Sequence, residues 1–355
     1  MSTHTENIQE LKIAIFGAGA MGTTLGAFLT KGGLKNVHLV ARNQTHVNAL
    51  KQKGATVICK ADDTRFTIPV TALFPDEMQG KYDVIFLMTK QRENAKILTG
   101  LLPFLHENSV VCTTQNGLPE LFVAEIVGTK RTYGAVTSFG ANFLGEGEVK
   151  LTSKLSAMHM EVGGYENDGE KTAMLAEILS YAGKGVTNDD FVTATDNLAG
   201  ARWTKLSINA AFSSLSTMTG LTFGQVAKKR GTRKLALAML RECVAVAKAK
   251  GVQLAKIKGK DVEKLFGENT WRKRFIAYLI LPFAMRKHKN LHSGMLFDIQ
   301  SGKKCEIDFV AGIIGKEGKK LGLETPVCDQ VVDIVHGIEN GLYEIDYKNV
   351  DFFEI

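Results

Sequence analysis

The chain has 355 residues, 45% of them hydrophobic and 23% charged, with a formal charge of +7. That is the balance of a globular protein with room for two cores, and no low-complexity tract or internal repeat is apparent. No apolar run reaches membrane-spanning length and no basic-aromatic motif points to nucleic acid, so the mild positive charge reads first as a solubilising surface and second as an attraction for anionic cofactor and substrate.

The start, MSTHTENIQE, is polar and lacks a signal-peptide core. Five cysteines (Cys59, Cys112, Cys243, Cys305, Cys328) lie far apart, are odd in number and form no C-x-x-C pair. They argue for a reducing, cytoplasmic setting and against a disulfide framework or a zinc ribbon, and no metal site is expected.

Leu11 to Phe16 is a short apolar run, long enough for a buried strand. Gly17-Ala18-Gly19-Ala20-Met21-Gly22 follows in the order G-x-G-x-x-G, and TTLGAFLTKGG then reads as a helix closed by Gly32 and Gly33. Strand, glycine turn and helix make a phosphate-binding unit. The first glycine permits the turn, the second lets backbone approach a pyrophosphate, and the third lets helix and strand pack closely. NVHLVA, Asn36 to Ala41, reads as a second strand ending at Arg42. An acidic residue there would favour NAD; arginine suits the extra phosphate of NADP.

Thr45 to Lys53 reads as a helix stopped by Gly54, and GATVICKADDTRFTIPV as two strands around Asp62 and Asp63. YDVIFLM is a buried strand with Lys90 just past its C-terminal end, where open α/β sheets bind ligands. A helix from Gln91 to about Leu105 leads to the strand SVVCTTQ, which ends at Gln115-Asn116-Gly117 and makes Asn116 a second candidate at that edge. Arg131 to Gly164 reads as several strands, Glu170 to Ala182 as a helix, and GKGVTND as a last strand and turn. The β/α alternation to about residue 190 describes a doubly wound domain, 1–190. The remainder, 191–355, is helical in pattern.

Arg202 to Met218 is an apolar helix with one narrow polar stripe, Lys205, Asn209 and Ser213, at i, i+4 and i+8. A lysine on a mostly buried helix needs an anion or a cavity, unless it snorkels to solvent, and burial lowers its pKa toward the range of proton transfer. Trp271 to Asn290, WRKRFIAYLILPFAMRKHKN, is basic at both ends of an apolar centre. It fits a membrane-surface or partner-binding segment, or a helix packed on the second domain or across a dimer interface; the packed reading is preferred. Ile307, Val310, Ala311 and Ile314 form a core stripe, with Glu306 half-buried at its edge and Asp308 more solvated.

The chain resembles the ketopantoate reductases (2-dehydropantoate 2-reductases). The resemblance rests on G-A-G-A-M-G, Arg42, Lys90, Gln115-Asn116-Gly117, W-x-K-L-x-x-N from Trp203 to Asn209, and M-L-x-D-x-x-x-G-x-x-x-E-I-D from Met295 to Asp308. It implies an α/β fold with an N-terminal Rossmann-type doubly wound domain and an all-helical C-terminal domain. It implies NADPH/NADP+ held by Gly17 to Gly22, Arg42, Lys90 and Asn116. Lys205 would be the general acid and Glu306 would bind the substrate hydroxyl, with Asn116, Asn209, Ser213 and Ser293 completing the substrate site. The implied reaction is NADPH-dependent reduction of a 2-oxo acid to a 2-hydroxy acid, with ketopantoate as first substrate and a homodimer as one assembly. Several pocket positions depart from the family pattern: Ser213 for a second asparagine, Leu291 for an asparagine, Gly294 for the serine before Met295, Phe297 for glutamine, and Cys305 for threonine. A paralogue acting on another 2-oxo acid is therefore the alternative reading. A non-catalytic NADP-binding protein is a third, which the retained Lys205 and Glu306 disfavour.

Overall fold

Twelve strands and five helices make up the first part of the computed structural model, which describes residues 8–256, 261–267 and 270–354. The first seven residues of the polar N-terminal stretch lie outside that range. In chain order the strands are β1 (Ile13–Phe16), β2 (Val37–Val40), β3 (Ala55–Cys59), β4 (Thr64–Ile68), β5 (Thr71–Leu73) and β6 (Tyr82–Leu87). They continue with β7 (Leu105–Thr113), β8 (Thr132–Thr137), β9 (Ala141–Gly145), β10 (Glu148–Leu151), β11 (Met160–Gly164) and β12 (Val192–Ala194). The helices among them are α1 (Ala20–Lys31), α2 (Gln44–Lys53), α3 (Asn94–Leu101), α4 (Pro119–Val127) and α5 (Gly169–Val186).

The main sheet runs β12-β11-β8-β7-β6-β1-β2-β5. The pairs from β5 to β8 are parallel, and only β8 with β11 is antiparallel. Alternate residues of its central strands feed two cores. Ile13, Ile15, Val84, Phe86, Val110 and Cys112 pack on one face with Phe28 of α1 and Leu175, Ile178 and Leu179 of α5. Ala14, Ile85, Leu87 and Val111 pack on the other with Leu98 and Leu101 of α3 and Val123 and Val127 of α4. A sheet buried on both faces explains why YDVIFLM is a continuous apolar run rather than an alternating one.

Three details differ from the sequence reading. The two strands around Asp62 and Asp63 leave the main sheet and form a second one, β4-β3-β10-β9. GKGV is not a strand: α5 continues through it to Val186 and ends at Thr187, whose φ is +56°. Gly183 and Gly185 are there for packing, since a Cβ on Gly185 would press on the Phe28 carbonyl of α1 and one on Gly183 on the Asn188 carbonyl. The last strand is β12, beyond the boundary expected at residue 190. The first compact unit accordingly comprises Met1–Gln115 and Pro119–Leu198.

The second unit comprises Asn116–Leu118 and Ala199–Ile355. From Leu198 onward the described elements are helical: α6 (Leu198–Thr219), α7 (Phe223–Lys228), α8 (Arg230–Ala249) and α9 (Trp271–Ala284). They are followed by α10 (Gly294–Gln300), α11 (Ile307–Val310), α12 (Gly312–Lys320) and α13 (Pro326–Glu339). Two carboxylates here serve the fold. The Glu242 carboxylate on α8 accepts from the Val327 and Cys328 N–H groups (2.9 and 2.8 Å), satisfying the start of α13. Glu317 of α12, almost fully buried, binds Lys250 and Lys320 at 2.5 and 2.6 Å.

The five cysteines are all buried thiols outside any disulfide. Burial pushes up the Cys59, Cys243 and Cys328 thiols. No helix among the described residues is long and apolar enough to cross a membrane, and none of their His, Cys, Asp and Glu side chains cluster to hold a metal ion.

Candidate active site

The turn after β1 is specified by backbone. Gly17 has a φ of +105°, and a Cβ on it would lie 2.6 Å from the Thr89 nitrogen. A Cβ on Gly22 would overlap the Gly17 carbonyl oxygen. Gly19 is different, because a Cβ there would meet nothing within 4 Å. Two glycines are thus required by packing, while the third leaves open space at the start of α1. Gly19 caps that helix without a side-chain hydrogen bond, and the first turn holds no acidic residue. Ala20, Met21 and Gly22 therefore begin a helix whose N-terminal N–H groups are available to an anion. The cradle fits a pyrophosphate. Ala18 is buried, and the Gly17 and Ala18 N–H groups both donate to the Val40 carbonyl (2.9 and 3.0 Å). This ties the turn to the end of β2, two residues before Arg42. Arg42 is exposed and its ion pair with Glu93 is long, at 4.0 Å, so its guanidinium can move to a ligand.

A buried relay that the sequence does not reveal fixes this turn. His46 of α2 accepts at Nδ1 from the Gly147 N–H (3.0 Å), and its Nε2 lies 3.0 Å from Thr23 Oγ1. A backbone N–H can only donate, so Nδ1 is bare and Nε2 carries the proton. Nε2–H then donates to Thr23 Oγ1, which donates to the Ala18 carbonyl (3.2 Å). Burial lowers the His46 pKa, which keeps the imidazole in this neutral form.

At the ends of β6 and β7 a second buried arrangement holds the ligand edge. Asn94 and Gln115 exchange two amide hydrogen bonds (3.0 and 2.7 Å), and Gln115 Nε2 also donates to the Thr89 carbonyl (2.7 Å). Thr89 is the residue against which Gly17 packs. Gln115 is therefore a positioning residue, whereas its neighbours Lys90 and Asn116 are exposed. The motif Gln115-Asn116-Gly117 marked the place without distinguishing these roles.

In the second unit, α6 shows the expected stripe. From Gly200 to Thr219 every residue is buried except Lys205, Ile208, Asn209 and Ser213. The polar side chains thus share one narrow half-buried stripe with a single apolar one. Burial, with the neighbouring Arg202 guanidinium, brings the Lys205 ammonium down to about 7. Arg202 is 2% exposed, and the sequence reading passed over it.

Ser293 is enclosed at the start of α10. It is 1% exposed, and its Oγ accepts from the Met295 N–H (3.1 Å) as the cap of α10. Its own N–H donates to Ser216 Oγ of α6 (3.1 Å), which donates in turn to the Leu221 carbonyl (2.7 Å). The cap uses the Ser293 hydroxyl as an acceptor and leaves its proton for donation. Gly294 is the exposed neighbour, and a Cβ on it would meet nothing within 4 Å.

Glu306 is half-buried just before α11, while Asp308 is exposed, as the stripe predicts. A brace to α13 flanks Glu306. The Cys305 N–H donates to Glu339 Oε1 (2.6 Å), and His336 contacts Glu339 Oε2 (3.2 Å) and Asp308 Oδ1 (2.8 Å). Burial pushes the Cys305 thiol up to about 12, and its hydrogen bond to Glu339 adds to this. Burial alone would lower His336, but Asp308 and Glu339 outweigh it and raise the imidazole. Burial likewise opposes ionisation of Glu339, but the hydrogen bonds from Cys305 and His336 hold it below the usual carboxylate range.

An anion-binding glycine turn on a parallel sheet, joined in one chain to a helical unit with a half-buried lysine brought down to about 7, defines an oxidoreductase of the two-domain, nucleotide-dependent class. The family model of ketopantoate reductase PanE/ApbA matches residues 13–164, and that of its C-terminal domain matches residues 197–339. The chain belongs to this family. It is 26% identical to the 2-dehydropantoate 2-reductase of Lactococcus lactis over 332 residues, spanning 93% of this chain and 98% of that protein. It is also 26% identical to the Mesorhizobium japonicum enzyme of the same name, over 94% of this chain and all of the other. Among solved structures, a PanE/ApbA family ketopantoate reductase from Ralstonia eutropha superposes with a TM-score of 0.76 at 26% identity, covering 94% of this chain and 99% of that one. A D-mandelate dehydrogenase, solved with NADH and anilino(oxo)acetate, shares the fold at a TM-score of 0.77 and 24% identity, over 94% of this chain and 99% of that one.

Proposed function

We propose that the protein reduces a 2-oxo acid to the 2-hydroxy acid with NADPH, and that ketopantoate is its substrate. The observation that carries this reading is the α6 stripe, where a lysine brought down to about 7 stands in an otherwise buried helix beside Asn209. NADPH, when bound, supplies a hydride to the carbonyl carbon. The Gly17–Gly22 turn and the N-terminus of α1 hold its pyrophosphate, and Arg42 its 2′-phosphate; Lys90 and Asn116 serve the cofactor edge of the sheet. The Lys205 ammonium hydrogen-bonds the carbonyl oxygen and donates its proton as negative charge grows there. Near neutral pH it is balanced between donor and acceptor, which suits a reversible proton transfer. Asn116 and Asn209 orient the substrate, Ser213 offers a further hydroxyl, and Ile208 offers an apolar contact on the same stripe. Glu306 accepts from the substrate's hydroxyl, with its backbone steadied by the brace to α13.

The second reading, a reductase of another 2-oxo acid, is favoured by one feature. Gly294 stands open where the family pattern has a serine, and Ser293 caps α10. The fold does not choose between them, since it also carries a mandelate dehydrogenase. NADPH oxidation followed with a panel of 2-oxo acids decides. Turnover of ketopantoate above the others supports the first reading, and turnover of another acid alone supports the second. Tight NADPH binding without turnover of any acid would leave a binding protein.

A further inference from the structure

Helix α9 carries two apolar sides. Ala277, Leu281 and Met285 are buried against the helical unit. Trp271, Phe275, Ile276, Leu279 and Phe283 are exposed, Trp271 and Phe283 at 74% and 78%. At 100° per residue these five fall on one face, opposite the buried set. A contiguous exposed patch of this kind on a single helix marks an interaction surface. The packed role expected for this segment is met by one side only.

Charge identifies the partner. Between Thr270 and Phe297 there is no Asp or Glu, while Arg272 lies within the exposed face and Lys273, Arg286, Lys287 and Lys289 add positive charge near its two ends. Arg241 of α8 faces Arg274, which, after burial, lowers the Arg241 pKa. Arg272 lies over the Trp271 ring at 5.6 Å, a contact that keeps cation and indole together. A second copy of this chain fits poorly, because a two-fold contact sets the same patch against itself. Antiparallel α9 helices would place the basic start of one against the basic end of the other. Fourteen residues of helix span about 21 Å, too short to cross a bilayer but suited to lying along one. Aromatic and aliphatic side chains on one face with cationic residues beside them are the pattern of an interfacial helix.

We propose that α9, with its flanking basic residues, docks the protein on the surface of an anionic lipid bilayer. Exposed Trp271 and Phe275 enter the headgroup boundary at one end of the helix and Phe283 at the other, while the Arg and Lys side chains meet lipid phosphates and carboxylates. This placement is independent of which oxo acid is reduced.

The test uses the full chain with vesicles of phosphatidylcholine, alone or mixed in equal parts with phosphatidylserine. The protein should sediment with the mixed vesicles, and raised salt should release it. Each basic residue near an anionic surface contributes about a fivefold change in partition, so Lys287→Glu should lower binding by at least that factor. The double variant Phe275→Ser/Phe283→Ser should lose about tenfold or more while keeping reductase activity, since neither residue belongs to the site. Emission gives a second reading. Trp203 is 3% exposed and the only other tryptophan, so a blue shift on adding mixed vesicles reports Trp271. No sedimentation with the mixed vesicles overturns the proposal, as does binding that the double variant retains. A concentration-dependent dimer that the double variant abolishes, without vesicle binding, also overturns it and assigns the face to a second copy.

Discussion

The glycine turn and the α6 stripe are two halves of one proposed chemistry, built in opposite ways. The turn is made of backbone. Its groups are N–H donors and open space, and its requirements are a positive φ at Gly17 and close approach at Gly22. The stripe is made of side chains on an unstrained helix, and its character comes from what surrounds Lys205. The backbone site tolerates almost no added atom at Gly17 and Gly22, and its preference for an anion comes from N–H groups rather than from a charged side chain. A side-chain site tolerates shape changes but depends on the electrostatics of one amino group.

That contrast is tested most severely at Lys205. Lys205→Ala should lower the rate of reduction by about 10²–10⁴-fold with little change in NADPH affinity, as measured by steady-state kinetics and cofactor titration. In the wild type, reduction should fall as pH rises through about 7, because the donor is then deprotonated. Full activity in the alanine variant would remove the proposed mechanism. The turn should fail in the reverse sense. Gly17→Ala puts a Cβ into a left-handed backbone position 2.6 Å from the Thr89 nitrogen. We expect more than about 1 kcal/mol of destabilisation and loss of NADPH binding, read by thermal melting and fluorescence titration.

Arg42→Ala sharpens the comparison, since it alters charge beside the backbone site. NADPH should bind about tenfold or more weakly and NADH nearly as before; an equal loss for both would sink the phosphate assignment. His46→Gln keeps a neutral side chain but not the two-nitrogen geometry. Cofactor affinity should fall about fivefold, with Lys205-dependent pH behaviour untouched. The wild-type His46 must stay neutral in the folded protein, so its contribution is present above pH 6.5 and is lost as acid reaches the lowered folded pKa.

The smallest effect is expected at the brace. His336 has a raised pKa, so its contribution is complete below about 6.5 and disappears as pH rises through the folded value. Glu339, held low, works the other way, contributing above its usual value of 4.5 and losing effect as pH falls through the folded one. The two windows overlap between about pH 4.5 and 6.5. His336→Gln should cost roughly 0.5–1 kcal/mol there and less at pH 8, measured by denaturant titration at both pH values.

Much of this was readable in the chain because the causes are local. The glycine spacing, the apolar run of β6 and the i, i+4, i+8 stripe of α6 each state their requirement within a few residues. What was not readable depends on distant partners. Gly183 and Gly185 look like breakers but sit inside α5, since Phe28 and Asn188 need the space. Ser293 looks only like a ligand, but its hydroxyl also caps α10 by accepting from Met295, and its backbone N–H reaches Ser216 of α6. His46 gives no local sign of its reach to Gly147, 101 residues away. The apolar residues of α9 show a helix with something to bury, but periodicity does not say that half of them stay uncovered.

The buried cysteines have a practical consequence. With every native thiol enclosed and four of the five held in the protonated form, alkylating reagents should find little to attack. A single engineered attachment point, such as Phe283→Cys on the exposed face of α9, would then take up a dye selectively. Its colour would report whether that helix meets water, lipid or another protein, with no native sulfur to be removed first.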